Sequence, residues 1–420
     1  IFTAARTVGV GNIAGMATGI YFGGPGAIFW LWILAFFGTS IALVEGTLAQ
    51  TYKKVINGEF KGGPAFYMEK GFKNKELGKL LAVIYSIVTF ISLTFLMSGV
   101  QSYYIVQGLH DAFNVNTVLT GLILSAVLGI VIFGGLKRMG NTAQRISPIM
   151  GFIYVVMSII IIILNIGKLP ATIALIFKSA FGTDAVFGAI FGSAVTWGIR
   201  RGVHANEVGI GTSAVTSATA TTSHPGAQGL LGGLSVYIGS LFVCTTTTFM
   251  ILMTNSYNVI GADGNFVFEG VKGLDYGNPF VARAIESTIP LPGLGNIFVA
   301  LAILCFAFVA LTAFYLYSES NLTYLVGGNK GAIFTLKICF IVSVFVGTIV
   351  ASDTIWAMAD IGNALMAWVN IFALIFIGNH GIRIYKDYEE QRKAGVESPI
   401  FNAKKFGIED VEDVWGRRSI

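Results

Sequence analysis

Apolar and polar positions fall in long blocks along this chain, not in the short alternation of a half-buried sheet. Polar segments separate apolar runs, and one of these, 159–164, is unbroken Ile and Leu. A helix that crosses a bilayer needs about 20 mostly apolar residues. Ten runs meet that length closely enough to be read as spans: 1–22, 27–50, 80–108, 117–136, 147–165, 184–200, 227–255, 293–326, 331–351 and 354–379. The pattern predicts an all-α polytopic membrane protein. Unbroken runs leave no room for the apolar-out, polar-in period of a membrane β-barrel.

Composition sharpens this picture. Of the 420 residues, 54% are hydrophobic and 12% charged, against about 25% charged in a soluble domain. Neither a soluble fold nor a disordered chain fits. The net charge of +5 does not indicate nucleic acid, because the cations sit in short loops. Seven lysines lie in loop 51–79, and alternation puts 21 of the 27 basic residues on one side, Arg200 and Arg201 among them. Only Lys168, Lys178, Lys272 and Arg283 fall opposite. The bias predicts that both ends of the chain are cytoplasmic and that the span count is even. Residues 1–380 then form the transmembrane unit and 381–420 a cytoplasmic tail. GEFKGGPAFYMEKGF at 58–72 reads as a short amphipathic helix on the cytoplasmic surface. The outer segment 256–292 is either a lid or a plain loop. The chain opens on Ile1 in what reads as mid-helix, so an upstream portion is expected.

Ten spans divide into five and five, repeat one at 1–165 and repeat two at 184–379. Transporters built on inverted repeats place their sites where glycine-interrupted helices recur in both halves. Span one reads TVGVGNIAGMATG and span six FGAIFGSAVTWG. Unwound backbone at membrane depth survives only where it is buried in protein or lines a cavity. A half-helix starting there presents free N–H groups and a positive dipole end to a carboxylate. The carbonyls before it suit an ammonium or a small cation. The alternative is that Gly11, Gly15, Gly188 and Gly192 are close-packing notches.

The stretch GNIAGMATGIYFGGPGAIFWLW resembles the alanine or glycine:cation symporter family, the sodium:alanine symporters of bacteria and archaea. So do GEFKGGPAFYMEKG, WGIRRGVHANEVGIGTSA, SHPGAQGL, FVCTTTTFMIL and WAMADIGNALMAWVNIFAL, in order along nearly the whole chain. The resemblance implies a LeuT-type 5+5 inverted repeat with helices one and six broken. It also implies import of small neutral amino acids coupled to Na⁺, in the cytoplasmic membrane of a prokaryote. It explains the opening residues too, because family members carry a further helix upstream. Three departures stand out. Val309 and Ala310 occupy positions where the family usually has a Ser/Thr pair, Gly239 stands where an Asp is usual, and TSAVTSATATTS replaces an Ala-rich stretch. Sodium wants oxygen ligands, so the first departure puts the coupling ion in question.

The expected substrate contacts are Gly11, Asn12 and Ile13 for the carboxylate, carbonyls of the span-six break for the ammonium, and Gln101, which can donate and accept. Phe187, Phe191 and Gly192, with Trp197, are expected to wall the pocket, and Asn363 to border it. Na⁺ would take backbone oxygens of Val8 and Gly11 with Thr312; a proton is the alternative ion, carried by Glu45, Glu319 or Asp360. Asp360 either ligates a cation, holds Asn363, or makes a structural hydrogen bond; Glu207 and Asn206 are expected to tie the inner gate. Glu45 and Glu319 otherwise pair with loop lysines, Gln101 otherwise bonds another helix, and packing accounts equally for any one phenylalanine. Glutamine is the alternative substrate, and an amino-acid sensor the distant alternative function. The three cysteines lie in apolar runs, and the four histidines, on loops and span ends, lack metal-ligand spacing. No nucleotide loop or catalytic constellation occurs, so neither an enzyme nor an ATP-driven pump is expected. The partners are a small neutral amino acid and the lipid bilayer, with a functional monomer expected.

Overall fold

The computed structural model describes residues 9–408 and 412–415. The chain enters through a 3₁₀ turn, Val10–Asn12, and continues as α1 (Ala14–Gly23) and α2 (Ala27–Thr51). A hairpin follows, β1 (Lys54–Ile56) and β2 (Glu59–Lys61), then α3 (Pro64–Gly71). Helices α4 (Lys75–Ile91) and α5 (Ser98–Phe113) are joined by a π turn at Ser92–Leu96 into one long span. Next come α6 (Thr117–Phe133), α7 (Gly135–Leu164), α8 (Leu169–Ala180), α9 (Phe191–Asn206) and α10 (Thr212–Thr219). A second π turn, Ile238–Cys244, joins α11 (Pro225–Tyr237) to α12 (Thr245–Met253). After β3 (Asn258–Ile260) and β4 (Phe266–Glu269) the chain forms α13 (Asn278–Thr288), α14 (Leu294–Val326), α15 (Lys330–Gly347) and α16 (Ser352–Lys393).

Among the described residues, seven helical stretches are long and apolar enough to cross a membrane, and α6 is a shorter apolar helix. Loop asparagines start several of them. Asn74, Asn116 and Asn329 each accept hydrogen bonds from first-turn amides, which satisfies donors a helix start leaves unpaired. Helix α14 forms the axis: 72% of its apolar window is buried, against 22% for α15 at the rim. Rim side chains such as Phe152 at 72% exposure and Trp368 at 81% face outward in a way only lipid accommodates.

Three loop expectations change. The helix expected at 58–72 forms only at Pro64–Gly71 and is not on the surface. Asn57 and Gly58, both at positive φ, make the two-residue turn of a β1–β2 hairpin, as Asn-Gly favours. Phe66, Tyr67 and Met68 of α3 are buried, so its apolar face meets protein instead of headgroups. Segment 256–292 is a bulged hairpin and a helix, α13, that sinks Phe280, Val281, Ala284 and Ile285 into the core. Finally, α16 runs unbroken through the expected boundary at 380.

The tail then folds back onto this face of the bundle. Phe401 donates its amide to Ser223 O at 3.1 Å, and buried Trp415 donates to Thr51 O at 3.2 Å. Lys405 pairs with Asp387, whose other oxygen meets His224 Nε2 at 3.1 Å. The face carrying the tail is called the tail face below, and the face with β3–β4 the hairpin face.

Candidate functional site

The first interruption lies at Gly9–Ile13. Gly9 is extended, the 3₁₀ turn follows, and Ile13 leaves helical geometry before α1 begins. Asn12 fixes the bend: its Oδ1 accepts from Gly9 N at 2.9 Å, and its Nδ2 donates to Gly239 O at 3.4 Å and Cys244 Sγ at 3.2 Å. Gln101 reaches the same bend, accepting from Val10 N at 3.4 Å. The amides of Asn12 and Ile13 close the turn on Gly9 O and Val10 O, so they do not face a ligand as expected. The amides of Ala14, Gly15 and Met16, at the start of α1, have no hydrogen-bond partner among the described residues, and the dipole there is positive. Val8 lies outside the described residues.

Helices α9 and α16 close on this bend. A Cβ at Gly11 would stand 3.0 Å from both Ala205 Cα and His204 Cδ2, so only glycine lets the strands of backbone approach. His204 Nδ1 lies 3.0 Å from Asn363 Nδ2, and Asn363 Oδ1 is buried without a hydrogen-bond partner among the described residues. Trp356 lies against His204, centroids 5.0 Å apart, and donates to Tyr104 Oη at 2.9 Å.

Arg201 is the main surprise. The charge bias counted it among cytoplasmic loop residues, yet its side chain is 1% exposed, in mid-helix. One nitrogen, Nη2, bonds both oxygens of Asp360, at 2.5 and 2.6 Å, and the guanidinium lies 4.2 Å from the Trp356 ring. An ion this deep must be paired, and Asp360 is its partner. The space between Arg201, α1 and α2 is about 10 Å³, room for roughly one water. Sequence reading passed over Arg201 and His204. Their spacing of three residues, which puts both on one helix face, was the available signal.

The second interruption is not where the glycines of span six suggested. Phe191 and Gly192 open α9, and its 16 residues put about 24 Å between them and its far end. Phe187 packs on Phe268 of β4, and Gly192 has no neighbour within 4 Å of a built Cβ. These three residues do not join the Gly11 region. Gly198 is a packing notch, since a Cβ there would lie 2.4 Å from Ala27 O, and a helix tolerates that. The chain instead breaks at 207–211, where Glu207, Gly209 and Gly211 take left-handed φ values of 55°, 77° and 81°.

A polar clamp holds this second break. Tyr85 donates to Ile210 O at 2.7 Å and Asn370 to Gly209 O at 3.0 Å. Asn370 also donates to Glu45 Oε1 at 2.6 Å and accepts from Tyr67 Oη at 2.5 Å. Ser213 donates to the other Glu45 oxygen at 3.1 Å. Glu207 accepts from Thr212 at 2.9 Å and Tyr317 at 3.3 Å, at the break itself. Glu319 pairs with Lys61 at 2.8 Å. Burial alone lowers the Lys61 ammonium, but Glu319 and Glu59 outweigh it and hold it above the usual lysine range. On α14, Thr312 donates to Val309 O at 2.7 Å, and Ala310 Cβ lies 3.7 Å from a Cβ built at Gly9. Ala310 therefore stands directly against the first break.

The model of the sodium:alanine symporter family matches residues 1–403. The chain belongs to the sodium:alanine symporter family. A Bacillus subtilis relative is 46% identical over 411 residues, covering 97% of this chain and 83% of its own. The "Sodium/proton-dependent alanine carrier protein" of Bacillus sp. (strain PS3) is 41% identical over 408 residues, 96% of this chain and 90% of that one. "Sodium/alanine symporter AgcS" of Methanococcus maripaludis is 34% identical over 390 residues, 93% and 82% of the two chains. A crystal structure of a manganese transporter mutant from Eremococcus coleocola overlays with a TM-score of 0.55 at 10% identity, over 98% of this chain and 90% of the other. That likeness shows a shared fold. In this sodium:alanine symporter family member, the first interruption, the pair of buried Arg201 with part-buried Asp360 and the buried His204–Asn363 pair thus meet along α1, α9 and α16.

Proposed function

We propose that this protein imports alanine or glycine together with Na⁺ by alternating access. The observation that supports this most is the first break. Unpaired amides of Ala14–Met16 stand at a positive helix end, and the unpaired Asn363 Oδ1 belongs to the side chain beside His204, which packs on Gly11. A zwitterion fits such a pair of partners: its carboxylate meets the amides and its ammonium meets Asn363 Oδ1 and the carbonyl edge near Gly11, with Gln101 alongside. In this reading Na⁺ takes backbone oxygens of Val8 and Gly11, and Thr312 would turn its hydroxyl oxygen to it. The ten spans form a LeuT-type 5+5 repeat, with halves at 1–165 and 184–379 and the tail from 381. The tail face is cytoplasmic, the membrane is the inner membrane of a prokaryote, and the monomer is the working unit. Arg201–Asp360 closes the hairpin side of the site, and the Glu45–Asn370–Glu207 clamp stands on the tail side.

The deciding experiment is uptake of radiolabelled alanine into proteoliposomes, with an inward Na⁺ gradient and then with a proton gradient alone. Accumulation that requires Na⁺ supports the proposal. Absence of uptake under either gradient, with glycine and glutamine also inert, would sink it. One observation favours proton coupling as the second reading: Glu45 is buried and hydrogen-bonded by Asn370 and Ser213, whereas Asp360 and Glu319 are tied to Arg201 and Lys61. Accumulation driven by protons alone, and lost in Glu45→Gln, would select that reading.

A further inference from the structure

Above the Arg201–Asp360 pair, on the hairpin face, lies an open cavity of about 620 Å³. Its wall carries three carboxylates from three elements: Asp111 at the end of α5, Asp275 in the turn before α13, and Asp353 in the first turn of α16. Among the described residues none of them has an ion-pair partner. Gln107 donates to Asp111 at 2.7 Å, and Tyr276 donates its hydroxyl to Asp353. Three tyrosines, Tyr103, Tyr104 and Tyr276, supply aromatic wall between the acids.

A further observation, independent of the acids, indicates a ligand. Asn278 lines this cavity and is 4% exposed. Its Nδ2 donates to Tyr104 O at 3.3 Å, while its Oδ1 is buried with no partner among the described residues. An orphaned buried acceptor is unfavourable unless something donates to it. Acceptors, carboxylates and aromatic faces without a cation among them are the complement of a primary ammonium. Its three N–H donors fill acceptors, and its charge is drawn to carboxylates and ring faces alike. A sodium ion, a hard cation that prefers oxygen ligands and keeps its water, gains less from the rings.

The floor of the cavity is the roof of the deeper site. Tyr104 accepts from Trp356, and beneath Trp356 lie Arg201 and His204. Tyr276 stacks on Tyr21 of α1 at 4.7 Å. We propose that this cavity is a capture site that holds the primary ammonium end of the substrate above the closed Arg201–Asp360 pair, before α1 and α16 part. This rests on the transport reading above. The ammonium could equally belong to a free amine, and the two sources separate by experiment.

The test uses the full chain in lipid nanodiscs and proteoliposomes. Ethylammonium, which has the amine without the carboxylate, is expected to bind in calorimetry and to compete with alanine uptake; propionate, the reverse, is not. Asp275→Asn with Asp353→Asn should raise the alanine KM at least five-fold and abolish ethylammonium binding, whereas Asp275→Glu retains both. Glu269→Gln, the loss of one charge on β4 outside the cavity, should leave KM unchanged. Equal KM shifts from Glu269→Gln would mean a general surface-charge effect and overturn the proposal. So would unchanged ethylammonium binding in the double variant. If the wild type takes up no alanine, the transport reading fails separately, and the calorimetric comparison still decides whether an ammonium site exists. Binding of ethylammonium without competition against alanine would assign the cavity to free amines and overturn its role in substrate capture.

Discussion

Between Gly9 and Ile13 the chain leaves helical geometry without one left-handed residue, whereas three of the five residues at 207–211 are left-handed. The first bend is held by one side chain, Asn12, and touched by Gln101. The second is gripped by Tyr85, Asn370 and, through Asn370, Glu45 and Tyr67. Left-handed φ is a local commitment of the backbone. Ordinary φ values with one tether leave a segment able to re-form as helix or turn. The second break therefore reads as a fixed joint and the first as the adjustable one, with the unpaired amides on the adjustable side.

This contrast can be broken at several points. The largest effect is expected for Asn370→Ala, which removes the partner of Gly209 O and of the Tyr67 hydroxyl in a buried network. At about 1–3 kcal/mol per orphaned group, roughly 3–5 kcal/mol should be lost, read as thermal unfolding in detergent. Gly211→Ala comes next. Its Cβ would stand 2.4 Å from Pro64 Cγ at a φ of 81°, so strain and overpacking together should remove about 2–4 kcal/mol. Gly11→Ala should destabilise less, about 1–2 kcal/mol, yet lower alanine uptake more than ten-fold, because its Cβ pushes on Ala205 and His204. A larger drop in melting temperature for Gly11→Ala than for Gly211→Ala would refute the assignment of joints. Asn12→Ala removes the tether of the first bend and should lower stability by about 1 kcal/mol, with a raised KM for alanine.

The smallest effect concerns the tail. Burial lowers the His224 imidazole below its usual value, against a partial pull from Asp387. The folded protein thus prefers neutral His224. Its contribution is fully present above the unfolded value of about 6.5 and is lost as pH falls through the folded one. Proteolytic release of the tail should therefore quicken below about pH 6, and His224→Gln should flatten that dependence. Release that quickens with rising pH would contradict the sign.

Much of this was legible in the chain, for reasons that particular residues show. Apolar runs declare spans because lipid demands them, and the first break was marked by four glycines around Asn12. The second break was misplaced because glycine alone does not distinguish a notch from a joint. Gly198 needs space for Ala27, while Gly209 and Gly211 need a backbone no other residue adopts freely. The Asn57–Gly58 turn signalled a hairpin that the lysines around it obscured. Arg201 was lost because a charge count assumes that cations sit outside, and only the fold reveals Asp360 waiting one helix away. Which acceptor Asn12 finds is a matter of tertiary approach, and no local pattern carries it.

Helix α16 has 42 residues and is therefore about 63 Å long, roughly twice the hydrocarbon thickness of a bilayer. It is a lever. Asn363, at the site, is separated from Lys393 at the tip by 30 residues, or about 45 Å. A tilt of about 10° at the site swings the tip by about 8 Å, on that same geometry. His224–Asp387, which joins α16 to the start of α11, and the tail bonds Trp415 to Thr51 O and Phe401 to Ser223 O each span only about 3 Å, so they must either travel with the tip or part. Movement too small to see around a three-carbon substrate becomes, at the far end of this one rigid rod, a displacement that a reporter placed on the tail can register.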